Sequence, residues 1–148
     1  NKTISKFSPT GVFLDHRKLD FKPTDLVFDR QQHMYILMPG IGRIIKFDLT
    51  THDFEQITFK MEGKDLISKS AGIAVDGRGD IYFIESQNHS VKKIDQNKTL
   101  LFSFGSQGEG VGQFNSPSGI AADKSGNIYI ADAKNQRVQV LRYIGGPT

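Results

Sequence analysis

Cysteine is absent from the 148 residues of this chain, which removes disulfides, thiolate zinc sites and cysteine nucleophiles together. Tryptophan is absent as well, although 11 Phe and 4 Tyr supply apolar bulk. Apolar runs reach only about four or five residues, too short for a membrane-spanning helix, so no membrane insertion is expected. No Gly-Lys-Ser/Thr triplet is present, nor is a G-x-S-x-G nucleophile elbow. His16, His33, His52 and His89 never fall in H-x-x-x-H or H-E-x-x-H spacing, so no metal ligand set is read from them. No charged-apolar-small leader opens the chain, and Asn1 in place of Met marks a processed or excised polypeptide.

Apolar residues at 37% and charged residues at 24% describe a folding domain and not a disordered tail. The length suits a single domain, 1–148, with a real core. A net charge of +3 and a pI near 9.1 permit an anionic partner without requiring one.

The strongest signal is internal repetition. DLVFDRQQHMYIL from Asp25, GIAVDGRGDIYFI from Gly72 and GIAADKSGNIYIA from Gly119 begin 47 residues apart, without a gap. Asp29, Asp76 and Asp123 keep this interval, and so do Tyr35, Tyr82 and Tyr129. RIIKFD from Arg43, SVKKID from Ser90 and RVQVLR from Arg137 hold the same register. Each unit contains an apolar strand, a tight turn, a second strand around the Tyr and a third, alternating strand. A looser fourth strand follows in HDFEQITF from His52 and KTLLFSFG from Lys98. Four antiparallel strands at this period are the grammar of a β-propeller blade. The expected fold is therefore all-β, with three four-stranded antiparallel blades at about 21–58, 68–105 and 115–148.

GSQGEGVGQFNSPSGIAAD, from Gly105, invites a phosphate-loop reading. Its frame fails, because the sixth position of G-x-G-x-x-G is Gln113 when counted from Gly108 and Asn115 when counted from Gly110. Strand and turn chemistry follows it, with no helical period to orient a helix N-terminus. The stretch lies between the fourth strand of one unit and the first of the next. It is expected to carry the chain between blades, as PTGVFLDHRKLDFK from Pro9 and KMEGKDLISK from Lys60 do elsewhere.

GQFNSPSGIAADKSGNIYIADAKNQRVQVL, Gly112 to Leu141, resembles an NHL repeat in nearly every signature element. The second copy departs from it at Ser90, where the signature has Arg, and the first at Ile41, where it has Asn. The resemblance implies a propeller, most often six-bladed. Such propellers serve as protein-binding platforms, RNA-binding surfaces and occasionally lyases or lactonases, so the fold does not fix a chemistry. With the missing cysteine and the non-Met start, it points to an extracytoplasmic bacterial protein, periplasmic or secreted, with the cytoplasm as the alternative. Three sequons, at Asn1, Asn88 and Asn97, are too short to weigh further.

A four-strand meander puts its turns alternately on two faces. The crossing face, built from second-to-third-strand turns and blade-to-blade connections, is the more basic. It supplies the candidate partner-binding residues Arg17, Lys18, Arg43, Lys64, His89, Lys134 and Arg137. The opposite face collects Asp29, Asp48, Asp76, Asp80, Asp95 and Asp123 with fewer bases, notably Arg30, Arg78 and Lys124. The repeated Asp residues read as turn formers accepting backbone N–H bonds, and Asn135 and Arg137, with Asp132, as a structural group. No convergent acid, base or ligand set emerges, so no catalytic, cofactor-binding or metal residue is assigned. The leading expectation is a non-catalytic interaction module with a protein partner. A lyase or hydrolase with a metal on the central axis and an RNA-binding surface are the alternatives.

Three blades do not bend into a ring, for which four to eight is the usual range. NKTISKF at the start resembles NKTLLFSF at Asn97, whereas the last unit stops near its third strand. Residues 1–10 are thus expected to form a spare outer strand. A homodimer, or a second polypeptide, would then complete a six-bladed ring.

Overall fold

Near-continuous apolar runs around Tyr35, Tyr82 and Tyr129 form second strands that are paired on both sides, and the sheets form around them. The computed structural model describes residues 2–58, 60–61, 64–65, 67 and 70–142, with the backbone alone at 41, 60, 61, 64 and 65. The chain opens with β1 (Thr3–Phe7) and β2 (Phe13–Lys18). A first blade follows as β3 (Asp25–Phe28), β4 (His33–Met38), β5 (Arg43–Asp48) and β6 (Phe54–Thr58), paired in that order. The short strands β7 (Lys60–Met61) and β8 (Lys64–Asp65) pair in the connection to the next blade. The second blade is β9 (Ser70–Val75), β10 (Ile81–Glu85), β11 (Ser90–Ile94) and β12 (Leu100–Phe104). A third sheet contains β13 (Pro117–Ala122), β14 (Ile128–Asp132) and β15 (Arg137–Leu141).

Every named pairing within these sheets is antiparallel, and equivalent positions sit in equivalent register. Tyr35 opposes Val27, Tyr82 opposes Ala74 and Tyr129 opposes Ala121. Second and third strands are joined in all three units by a single 3₁₀ turn closed by a left-handed residue: Gly42, His89 or Gln136, with φ of 61°, 51° and 52°. The sheets stack face to face. Tyr35, Leu37, Ile44 and Ile57 of the first blade pack against Ile73, Val75, Ile81, Phe83 and Ile94 of the second. The other face of the second blade, with Ala74, Tyr82, Ile84 and Val91, packs on Ile128 and Ile130 of the third and on Phe114.

One expectation needs correction. Residues 1–10 are not a spare strand: β1 folds back on β2, pairing Thr3 with Lys18 through Phe7 with Phe13. The segment expected to be a plain connector from Pro9 therefore contains half of a hairpin. Ten residues separate the starts of β1 and β2, as they do those of β11 and β12, so the hairpin has the spacing of the outer two strands of a blade. Its Ile4, with the following Leu19, rests on Met34, Ile36, Met38 and Phe47 of the first blade. The third sheet has three strands among the described residues. The end of the 115–148 unit, beyond Arg142, lies outside the described residues.

Candidate functional site

The turn after each first strand is built on one aspartate. Asp29 accepts the N–H groups of Gln31 and His33 and the Tyr35 hydroxyl. Asp76 accepts those of Arg78, Asp80 and Tyr82, and Asp123 those of Ser125, Asn127 and Tyr129. A carboxylate here satisfies turn donors that no strand partner reaches and ties them to the next strand. Burial pushes the Asp29 carboxyl up, but the hydrogen bonds from His33, Gln31 and Tyr35 outweigh it and hold the group below the usual carboxylate value. Burial, then Asp29, pushes the Tyr35 phenol above its ordinary value.

The position four residues after the aspartate differs in each blade, and the surroundings change with it. His33 Nδ1 sits 2.7 Å from Asp29 Oδ2, and Asn127 Nδ2 donates to Asp123 Oδ2 at 2.7 Å. In the second blade this position is Asp80, which cannot donate as a carboxylate. Lys93 enters between the two acids, 3.2 Å from Asp76 and 2.8 Å from Asp80. Desolvation works to lower the Lys93 ammonium, but Asp80, Tyr82 and Asp76 together hold it above its ordinary value.

On the crossing face a second polar group marks the end of the second strand. In the third sheet Asp132 is fully buried and accepts from Asn115 N–H, Asn135 Nδ2, Arg137 Nε and Gln139 Nε2. Burial raises this carboxyl, and those four donors bring it below the usual value. The Arg137 guanidinium also donates to the carbonyls of Glu109, Gly110 and Gln113 at 2.6, 2.8 and 2.9 Å. Asn135 Nδ2 bonds the Gly108 carbonyl, and Gln139 Nε2 the Gln113 carbonyl. The Gly-rich loop therefore presents acceptors to an arginine. Its N–H groups at Gly108, Gly110 and Gly112 are engaged by Phe114 O, Gln113 Oε1 and Gln139 Oε1. A phosphate cradle needs the opposite arrangement, with N–H groups convergent on an open site.

The second blade rebuilds the same group from other residues. Glu85 replaces the aspartate, and Ser90 stands where Arg137 does. The cation is Lys92, at the position of Gln139, whose ammonium pairs with Glu85. Asn88 and Ser90 complete the ring of donors to Glu85. In the first blade the acid position is Met38 and the Lys92 position is Ile45, and both pack among apolar residues. Arg43 keeps its register without a carboxylate at that position.

Arg17, Lys18 and Arg43 line a groove of about 600 Å³ between the hairpin and the first blade. Its floor includes Met34, Ile36 and Met38, and Arg17 lies 4.4 Å from the centre of the Phe47 ring. His89 accepts the Ser116 N–H at Nδ1 and closes a 3₁₀ turn, and Lys134 is exposed on another such turn. Arg137 is committed to Asp132 and the loop carbonyls. The side chain of Lys64 lies outside the described residues. Among the described residues no three His, Asp or Glu side chains are grouped to hold a metal ion.

A separate cavity of about 280 Å³ on the opposite face is lined by Arg30, Asp76, Gly77, Arg78, Lys93, Lys124, Ser125 and Gly126. Charge counting by face does not find it, because acids outnumber bases there. The signal available in the sequence was register: Arg30, Gly77 and Lys124 are equivalent, with a glycine in the middle unit.

Residues 114–141 match the NHL repeat family. No curated protein matches the chain. Among solved structures it superposes on a streptogramin B lyase with a TM-score of 0.70 at 16% identity, covering 98% of this chain and 46% of that one. Kuenenia stuttgartiensis hydrazine synthase gives 0.63 at 18% identity, over 86% of this chain and 34% of that one. Virginiamycin B lyase from Staphylococcus aureus gives 0.62 at 12%, over 97% and 50%. The chain thus spans half or less of each of these structures, and at such identities the likeness is one of fold: propeller blades.

Proposed function

We propose that this NHL-type propeller segment is a non-catalytic interaction module, part of a six-bladed ring completed by further blades, that binds a protein partner. One comparison within the chain carries the reading. Tyr35 and Tyr82 are 3% and 5% exposed, whereas their equivalent Tyr129 is 38% exposed. Ile44 and Val91 are fully covered, whereas Val138 at the same position is 62% exposed. The same face that buries the next blade twice is bare the third time. At the other end Leu26 and Phe28 are exposed while their equivalents Ile73 and Val75 are buried. The hairpin covers the middle of that face, over β4 and β5, and leaves the innermost strand bare. An apolar face repeated in register and left open is an interface waiting for its neighbour.

Strand number favours one kind of neighbour. Among the described residues the hairpin supplies two strands and the third sheet three, one too many for a single four-stranded blade shared between two copies. Two inner strands beside β1 and an outer strand beside β15, whether from further blades of a longer chain or from a second polypeptide, satisfy both edges. Arg17, Lys18 and Arg43 at the groove then offer cations beside the new strands, favouring a partner segment with acidic residues.

The RNA alternative loses Arg137, whose guanidinium is occupied within the fold.

Native mass spectrometry and sedimentation of the purified protein test the proposal. The expected result is assembly or aggregation that Val138→Asp suppresses. A stable, monodisperse monomer of 16.5 kDa with the Val138 face exposed would overturn it. A closed ring of two copies would replace the second polypeptide with a second copy of this chain.

A further inference from the structure

We propose that the open edge of β1 is a docking site for a β-hairpin of NHL type whose second strand places a tyrosine opposite Lys6. The site belongs to the interaction module described above and rests on that reading. Its occupant is the inner half of the blade that β1 and β2 begin. The hairpin of β1 and β2 coincides residue for residue with β11 and β12 of the second blade. Ile4 opposes Arg17, Ser5 opposes His16, Lys6 opposes Asp15 and Phe7 opposes Phe13. The same four pairs recur as Val91 with Phe104, Lys92 with Ser103, Lys93 with Phe102 and Ile94 with Leu100. The register breaks at the same place, after Lys6 in one hairpin and after Lys93 in the other. The turns agree as well. Ser8 N–H donates to Val12 O and Gly11 N–H to Ser8 O, as Asp95 N–H does to Thr99 O and Lys98 N–H to Asp95 O.

β1 is therefore a third strand, equivalent to β5 and β11. On its other side a third strand has the second strand of its blade, with a tyrosine facing the lysine. Tyr35 opposes Lys46 and Tyr82 opposes Lys93, with the ammonium groups 5.7 and 4.9 Å from the ring centres. Beside β1 that place holds no strand among the described residues. Lys6 is exposed, whereas Lys93 is 6% exposed. Phe7 is 56% exposed, whereas its equivalents Phe47 and Ile94 are 8% and 0% exposed. Strand addition uses such an edge: main-chain hydrogen bonds supply the affinity, and the side chains along the strand select the register.

The same comparison fixes the chemistry of the occupant. In all three units the tyrosine hydroxyl donates to an aspartate six residues earlier, on the turn between first and second strands. The docking hairpin is thus expected to carry Asp-x5-Tyr, which offers Lys6 a ring face with a carboxylate behind it. A second copy of this chain does not fit. Its tyrosine-bearing strands β4, β10 and β14 already have their third-strand edges filled by β5, β11 and β15. The last of these is anchored by Arg137 to the buried Asp132. The occupant is a hairpin that brings no third strand of its own.

The test adds a labelled peptide copying residues 70–89, SAGIAVDGRGDIYFIESQNH, the inner hairpin of the second blade, to the full chain. Val138→Asp is carried throughout, so that the β15 face does not contribute. The expected result is saturable binding with slowed amide exchange in residues 3–7. Tyr82→Ala in the peptide and Lys6→Gln in the chain should each weaken it about 5-fold, and Lys134→Gln, on the third sheet, should leave it unchanged. Because the chain has no cysteine, register is read directly. Ser5→Cys should form a disulfide faster with a Phe83→Cys peptide than with Tyr82→Cys or Ile84→Cys, since Phe83 opposes Lys92, the equivalent of Ser5. The same hairpin joined directly ahead of Thr3 raises its effective concentration and reveals weak docking. No protection of residues 3–7 in either form, or no preference for Phe83→Cys, would overturn the proposal. So would a disulfide between Ser5→Cys and Ile130→Cys of another copy without peptide, which makes a second copy the occupant. Failure here with assembly of the parent chain intact leaves the module reading standing, whereas a stable parent monomer overturns that reading whatever the peptide does.

Discussion

Replacing Arg137 with alanine removes a guanidinium that closes the blade-to-blade loop onto the third sheet. The side chain makes one contact to the Asp132 carboxylate and three to carbonyls of Glu109, Gly110 and Gln113. Asp132 is fully buried, so its remaining donors, Asn115 N–H, Asn135 and Gln139, would have to hold a carboxylate without its cation. Breaking a buried pair from one side costs about 3–5 kcal/mol. The arginine itself is 31% exposed and the Glu109 and Gly110 carbonyls can recover water, so screening reduces the figure to about 2–3 kcal/mol. With a urea slope of about 2 kcal/mol per molar, the midpoint should drop by roughly 1–1.5 M at fixed protein concentration. Arg43→Ala is the internal control. It occupies the same register position, but its acid site is Met38, and its loss should stay below about 1 kcal/mol. Arg137→Lys keeps the charge but loses the fork, and should fall between the two. Equal midpoint losses for Arg137→Ala and Arg43→Ala would refute the reasoning.

Lys92→Gln leaves Glu85 buried without a cation and should destabilise the second blade by about 3 kcal/mol, read from the urea midpoint; an unchanged midpoint would mean the pair is not required. Gly105→Ala meets both a φ of +103° and the Phe114 ring 2.6 Å from the new Cβ. It should cost at least ~2 kcal/mol, whereas Gly11→Ala, with φ +83° and open space, should cost about 1 kcal/mol; similar costs for both would argue against a tight Gly105–Phe114 contact. Because the Asp29, Asp123 and Asp132 carboxyls are held low in the fold, their contribution is present above the unfolded value of about 4 and is lost as pH falls through the folded values. Denaturation midpoints should therefore fall on acidification below about pH 4, with a shallower acid limb in Asp29→Asn; an unchanged limb would exclude that carboxyl.

The propeller grammar was legible in the chain because repetition at 47 residues reports local chemistry that each unit solves in the same way. An aspartate that caps a turn, a tyrosine one strand later and a residue taking φ > 0 before the third strand act within a few residues of one another. The aspartate and the tyrosine could be read from order alone, whereas the left-handed His89 and Gln136 could not, because nothing in a non-glycine side chain announces φ > 0. The failure of the Gly-rich stretch as a phosphate loop was legible too, although the reason, carbonyls gathered on Arg137, appears only in three dimensions.

What only the tertiary structure decided depends on residues distant in sequence. The segment from Pro9 looks like a connector because its apolar and charged residues alternate weakly. It becomes a strand because β1 is there to pair with it and the first blade offers Met34 and Phe47 beneath. Lys92 replaces the missing arginine of the second unit from two positions away, a substitution visible only when both side chains converge on Glu85. Arg30 and Lys124 are 94 residues apart in the chain, and the stacking of the blades brings the Arg30 guanidinium to the Lys124 carbonyl. The sequence by itself determined the blades, since strand and turn preferences are local. Which blade faces stay bare, and which charges share a cavity, was decided by stacking, because burial and Coulomb energy depend on distance in space and not along the chain.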